Sequence, residues 1–483
     1  MKYSPNDKAQ PFSNEKQRLF EQLLKDGGIA LPPRQPIPKR NPAEPCQLTP
    51  AQEHFWKVWQ AQPSRMGQNE VVRLRLRGSL NVMALGQALN NLVQRHELLR
   101  TRFVETNGHL SQQALMPMNM EVPLADLSCL SASAQAANCE RLFSEQADMA
   151  FDLEEFPLLS SSLIALNSHE RLLLLTLHQI ICDDWSKKIL VDDLTRSYES
   201  LIAGMPCSLN ELAINYGDFA MWQRGRLKAG EFAPHLDYWR QKLRGGAPLH
   251  EVGTRLGLTA EATGERKNCK LQLSDAASRL LQQTSRSEGL TAYMILLAGW
   301  QVLLSRYTGQ EEITIGTMVA NRNRTELQSL VGPVSNLLLI KLDLSGNPSF
   351  RIVFSRLRET LVEAFEHQDV PYEWVVAEDA GRQATAASGF PDVTFAMEEA
   401  ASSAHQVGDL KIIEEGPEAG VCRGNLALIV RQAGQAIAGR IEYHSGLFDE
   451  EKIIQMAAGY QKLIEVMLMD LDCKINNTPP LAH

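Results

Sequence analysis

No C-x-x-C pair occurs among the eight cysteines (Cys46, Cys129, Cys139, Cys182, Cys207, Cys269, Cys422 and Cys473). That scatter encodes neither a zinc knuckle nor a disulfide framework, and it suits reduced thiols in the cytoplasm. A long apolar run is also missing. The most hydrophobic stretch, Met294–Leu304, is too short to cross a bilayer, and the polar Met1–Asn14 start has no signal-peptide core. Positive charge is in deficit: a net charge of −9 and a pI near 5.8 leave no basic face for nucleic acid or an anionic membrane. Together these absences predict a soluble, cytoplasmic protein whose partners are neither nucleic acid nor membrane.

What is present is enough apolar material for two cores, with 44% of 483 residues hydrophobic. Residues 1–45 read as a leader helix and a Pro-rich linker. Asn14 and Gln17 form a capping box, Leu19, Phe20, Leu23 and Leu24 an apolar stripe, and Gly27-Gly28 a stop. Pro32, Pro33, Pro36, Pro38, Pro42 and Pro45 then exclude helix and favour extended chain.

The first lobe, residues 46–225, opens at Thr49-Pro50, a cap followed by the residue best tolerated in a first helical turn. Val72, Leu74 and Leu76 alternate with Arg73, Arg75 and Arg77, the period of a half-buried strand ending at Gly78. Leu85, Ala88, Leu89, Leu92 and Val93 follow at helical spacing. Arg171–His178 is a leucine-rich run suited to a strand covered on both faces. A similar pattern restarts in residues 226–475: Thr291 caps an apolar helix over 293–307, and strands are expected at Ile313–Val319 and Asn336–Leu342. Residues 476–483 form a tail. Two αβ lobes result, with the cut between residues 205 and 235.

Strand ends are where such folds expose reactive side chains, so His178, Gln179, Asp183 and Asp184 are the first candidates for chemistry. One imidazole and two adjacent carboxylates lack a third or fourth metal ligand at familiar spacing, so no metal is expected. Taken alone, the pattern also fits a satisfied histidine and a buried aspartate paired with an arginine.

The order of several motifs is more specific. His178-Gln179-Ile180-Ile181-Cys182-Asp183-Asp184-Trp185-Ser186 is preceded by Leu48-Thr49-Pro50-Ala51-Gln52 and by Arg95 to Phe103 (RHELLRTRF). It is followed by Tyr216 to Arg224 (YGDFAMWQR), Ile315 to Arg322 (IGTMVANR), Val331-Gly332 through Asn336, and His367-Gln368-Asp369-Val370-Pro371-Tyr372. Over residues 46–470 this set resembles the condensation domains of nonribosomal peptide synthetases, whose hallmark is His-His-x-x-x-Asp-Gly. Two hallmark positions differ, at Gln179 and Asp184. Ser388-Gly389-Phe390-Pro391 and Gly332-Pro333-Val334-Ser335-Asn336 also depart from the family pattern.

The resemblance implies an α+β fold of two chloramphenicol-acetyltransferase-like lobes, arranged as a V-shaped pseudo-dimer around a tunnel. It implies carrier proteins as partners, whose phosphopantetheine arms enter that tunnel, a neighbouring adenylation domain, and no cofactor bound directly. Asp184, Trp185, Ser186, Ser335 and Asn336 are expected along the tunnel, with Asp184 narrowing it; a solvent-facing or helix-capping Asp184 near Lys187 is the alternative. Asp183 is expected to be structural and paired with Arg100 or Arg322, and His178 likewise structural. His96 and His367 match packing positions, and Trp56, Trp185, Trp222 and Trp239 read as core or lobe-interface residues.

At the catalytic position stands Gln179, whose carboxamide can hydrogen-bond an amine but cannot take its proton. General-base catalysis contributes about 10²–10⁴-fold, so its loss points to a docking platform for carriers or a tailoring oxygenase, similar to family members with His-Arg-x-x-x-Asp-Asp. The alternative is amide formation driven by proximity alone.

Overall fold

A computed structural model describes residues 35–41, 44–61, 68–206, 209–244, 266–378, 391–399, 404–415 and 424–478. The leader helix expected before Gly27-Gly28 and the Ser388–Phe390 departure lie outside them.

The leucine-rich run forms the strand Glu170–His178, antiparallel to Asn69–Arg77, with Leu173 opposite Leu74 and Leu175 opposite Val72. Both its faces are covered, as its composition requires. Leu173, Leu175 and Leu177 join the main core of the first lobe, while Leu172 and Leu174 pack with Cys139 and Ile164 beside the helix Ala132–Ala147. This sheet has six strands, ordered His405–Val407, Leu410–Glu415, Asn69–Arg77, Glu170–His178, Leu159–Asn167 and Leu124–Asp126. Two of them come from within residues 226–475, so the expected boundary separates halves of the chain but not the sheets. Arg73 and Arg75 face this crossing hairpin and both pair with Glu415, while Arg75 and Arg77 share Glu170.

The second sheet orders Asn336–Asp343, Glu312–Val319, Val393–Glu399, Leu426–Ala433, Ala436–His444 and Arg266–Gln272. Helices Ala292–Thr308, Phe350–Glu366 and Glu450–Met469 bury its apolar face. Thr291 caps the first of these through the amide of Met294, 3.2 Å away. In the first lobe, Thr49 and Gln52 form a reciprocal capping box at the start of Pro50–Ala61 (3.1 and 3.2 Å).

The segment 320–335 leaves the second sheet and returns to it, yet its Leu327, Leu330, Val331 and Val334 lie in the first lobe's core. It brings Arg322 and Ser335 to the end of the leucine-rich strand. The Pro-rich stretch is no passive spacer where it is described. Ile37 is 4% exposed and belongs to that same core.

Candidate functional site

After His178 the chain turns sharply, Ile181 N–H bonding to the His178 carbonyl (3.0 Å), and enters the helix Asp184–Ile202. Asp183 is its N-cap and accepts from Ser186 N (2.8 Å) and Ser186 Oγ (2.6 Å). Its two oxygens also accept from Arg322 (3.0 and 3.1 Å), from the amides of Val334 and Ser335 (3.1 and 3.0 Å), and from Ser335 Oγ (2.8 Å). Burial by itself would raise this carboxyl, but Arg322 and the donated hydrogen bonds outweigh it and hold it below the ordinary carboxylate range. Arg322 in turn donates to the carbonyls of Leu327 and Leu330 (2.6 Å each) and Gly332 (3.2 Å). One buried ion pair thus ties the hallmark turn to the bridging segment.

Both nitrogens of His178 are engaged. Nδ1 accepts from Ile180 N–H (3.1 Å), so the proton sits on Nε2, which faces Gln68 Oε1 at 3.0 Å. Burial pushes its pKa down to about 3. This histidine stays neutral and is held in place from both sides.

Gln179 is 5% exposed and its Nε2 donates to Glu70 Oε1 over 3.4 Å. The other Glu70 oxygen takes the Lys187 ammonium at 2.8 Å, and Lys187 reaches Asp184 at 2.6 Å. Burial would lower the Lys187 pKa, yet Asp184 and Glu70 together hold it well above the usual lysine value. Four side chains therefore form a chain of contacts through the position where the hallmark carries its second histidine.

The condensation-domain family model matches residues 43–479. The chain belongs to this family. A relative from Brevibacillus parabrevis, one of the linear gramicidin synthase proteins, is 33% identical over 462 residues, covering 95% of this chain but 9% of the relative's length. The chain therefore spans less than a tenth of that synthetase. Among solved structures, the complex of the X-domain and OxyB from teicoplanin biosynthesis aligns with a TM-score of 0.79 at 23% identity, covering 93% of this chain and 99% of the other. The first condensation domain of the calcium-dependent antibiotic synthetase, in complex with a substrate analogue, gives 0.75 at 17% identity, covering 91% and 99%. The fold is that of condensation domains, built from chloramphenicol-acetyltransferase-like lobes.

Within this condensation domain each candidate site residue has a partner. The Asp184 side chain is 85% exposed and pairs with Lys187 on the first helical turn, the solvent-facing arrangement that was the alternative to a narrowed passage. Arg322, not Arg100, pairs with Asp183; Arg100 instead bonds the carbonyl of Leu115. Ser186 and Ser335 belong to the Asp183 cradle. Asn336 is saturated by the carbonyls of Gln368 (2.7 Å) and Val370 (2.6 Å) and by Tyr372 N–H (3.0 Å). Trp185 donates to the Gln328 carbonyl (2.9 Å). Beside Asp183 lies a cavity of about 20 Å³, lined by Ala51, Phe55, Met318, Pro333 and Ser335 among others. It admits a water molecule, not a pantetheine arm.

His96 pairs with Asp193 (2.9 Å) and His367 with His235 (2.8 Å), away from the hallmark turn. Trp56 and Trp239 are buried, and Trp222 lies under the guanidinium groups of Arg226 and Arg324. Among the described residues no three His, Cys, Asp or Glu side chains are placed to share a metal, and no single helix is long and apolar enough to cross a membrane.

Glu70 and Lys187 were not singled out from sequence. Lys187 had a local signal, three residues after Asp184 on a helix, where side chains meet. Glu70 had none, because its place depends on the register that sets it opposite Leu177. Since Asp184 is exposed, Asp184→Gly should change unfolding free energy by less than about 1 kcal/mol in a denaturant titration. A larger loss would show that the Lys187 contact organises the turn.

Proposed function

We propose that this condensation domain acts in a nonribosomal peptide synthetase as a docking platform for phosphopantetheine-bearing carrier proteins and a tailoring oxygenase, and does not itself form the amide bond. The carrying observation is Gln179. It provides no proton acceptor of useful basicity, and its amide is engaged by Glu70. Among the described residues nothing nearby replaces it: His178 has both nitrogens engaged, and Glu70 is held by the Lys187 ammonium. The likeness to an X-domain solved with OxyB supports a recruiting role. The much greater length of the gramicidin synthase relative supports a multidomain setting with a neighbouring adenylation domain.

A second reading is favoured by one observation. The Asp184 side chain is directed to solvent and adds no buried charge at the turn, so a reaction driven by proximity alone is compatible with it. The two readings separate in one assay. Acyl-loaded donor carrier and aminoacyl-loaded acceptor carrier are mixed with the domain, and intact-mass spectrometry follows the acceptor. The platform reading expects no peptidyl-acceptor above a no-protein control, together with co-purification of the oxygenase with the domain. Product forming well above that control would overturn it.

A further inference from the structure

Residues 35–41 precede the stretch matched by the family model, yet they are built into the fold. Ile37 enters the first lobe's core. Arg40 donates its backbone N–H to Asp218 Oδ1 (2.9 Å) and its guanidinium to Glu97 Oε1 (2.7 Å) and Asp218 Oδ1 (3.4 Å). At the other end, Arg324 donates to the Gln35 carbonyl (2.7 Å) while its guanidinium lies over the Trp222 ring at 4.6 Å. Arg324 is two residues past Arg322, the partner of Asp183. Between these anchors Gly217 leaves a slot. A Cβ there would lie 2.3 Å from Arg40 NH1 and 2.6 Å from its Cζ, and its nearest neighbours would all belong to that guanidinium.

We propose that Glu97, Gly217, Asp218, Trp222 and Arg324 form an intramolecular docking site for an extended, arginine-bearing segment of this chain, residues 35–41. Its occupancy holds the 320–335 segment, and so the Arg322–Asp183 pair, in place. Charge complementarity selects the occupant, since two part-buried carboxylates face one guanidinium that meets both. The segment upstream of the lobes is thereby coupled to the hallmark turn, whether or not the domain is catalytic.

Two variants of the full chain approach this from opposite sides. Arg40→Ala removes the key; Gly217→Ala fills the lock while favouring the helix Tyr216–Lys228 that contains it. Hydrogen exchange read by mass spectrometry should show faster exchange in residues 35–41 of both variants. Peptides covering 327–335 should exchange about tenfold faster in both, the scale expected when a charge-assisted hydrogen bond is lost from a local opening equilibrium. Should Arg40→Ala unfold globally, Gly217→Ala alone decides. Wild-type exchange at 327–335 in Gly217→Ala overturns the coupling, and wild-type exchange at 35–41 overturns the docking.

Discussion

Replacing Arg322 with methionine should lower the unfolding free energy by about 3–5 kcal/mol, because it leaves the Asp183 carboxylate buried without a counter-charge. The loss spreads further than one ion pair. Arg322 also collects the carbonyls of Leu327, Leu330 and Gly332, so the whole bridging segment is released together. Urea titration measures the effect, and a drop of under about 1 kcal/mol would show that the pair is dispensable. The sign of the pH dependence follows from the depressed Asp183 carboxyl. Its stabilisation is complete above the unfolded-state value for aspartate and is lost as pH falls through the lower folded-state value. Wild-type protein should therefore lose this contribution only in strong acid, and the Arg322 variant should lack it at neutral pH.

Gly332→Ala should cost about 2–6 kcal/mol, combining backbone strain with overpacking. Gly332 has φ +143°, where a side chain is strained, and an added Cβ would lie 2.1 Å from the Tyr216 ring and 2.8 Å from Leu98 Cδ2. Neither neighbour can give way. Leu98 is core, and the Tyr216 hydroxyl is held between Thr49 Oγ1 (3.1 Å) and the Pro333 carbonyl (3.0 Å). Gly217→Ala makes the matching comparison, because there the added Cβ displaces one arginine and its contacts to Glu97 and Asp218 instead of a core ring. Equal destabilisation of the two variants in the same titration would refute this account.

Much of the scaffold was legible because its signals are local. The alternation around Val72, Leu74 and Leu76, the cap at Thr291 and the run ending at His178 each depend on neighbours a few residues away. Asp183 was readable as a buried anion needing an arginine, but choosing Arg322 over Arg100 required the path of the 320–335 segment. The sequence leaves Asp184 between two orientations because its direction depends on where the first helical turn points, which composition does not encode. Glu70, the crossing hairpin and the Arg40 anchor were invisible for one shared reason: each depends on pairing between residues distant in sequence. The family resemblance supplied the tunnel expectation, and the geometry makes two of those five residues, Ser186 and Ser335, supports for Asp183.

The crossing hairpin also sets a timetable for synthesis. Arg75 and its partner Glu415 are 340 residues apart. At about 5–20 residues per second, the Asn69–Arg77 strand waits roughly 20–70 s on the ribosome for the neighbour that completes its sheet. Throughout that interval it presents an open edge to any other extended chain. Its alternating arginines then serve a second purpose, as charges that discourage mispairing until the glutamate-bearing strand arrives.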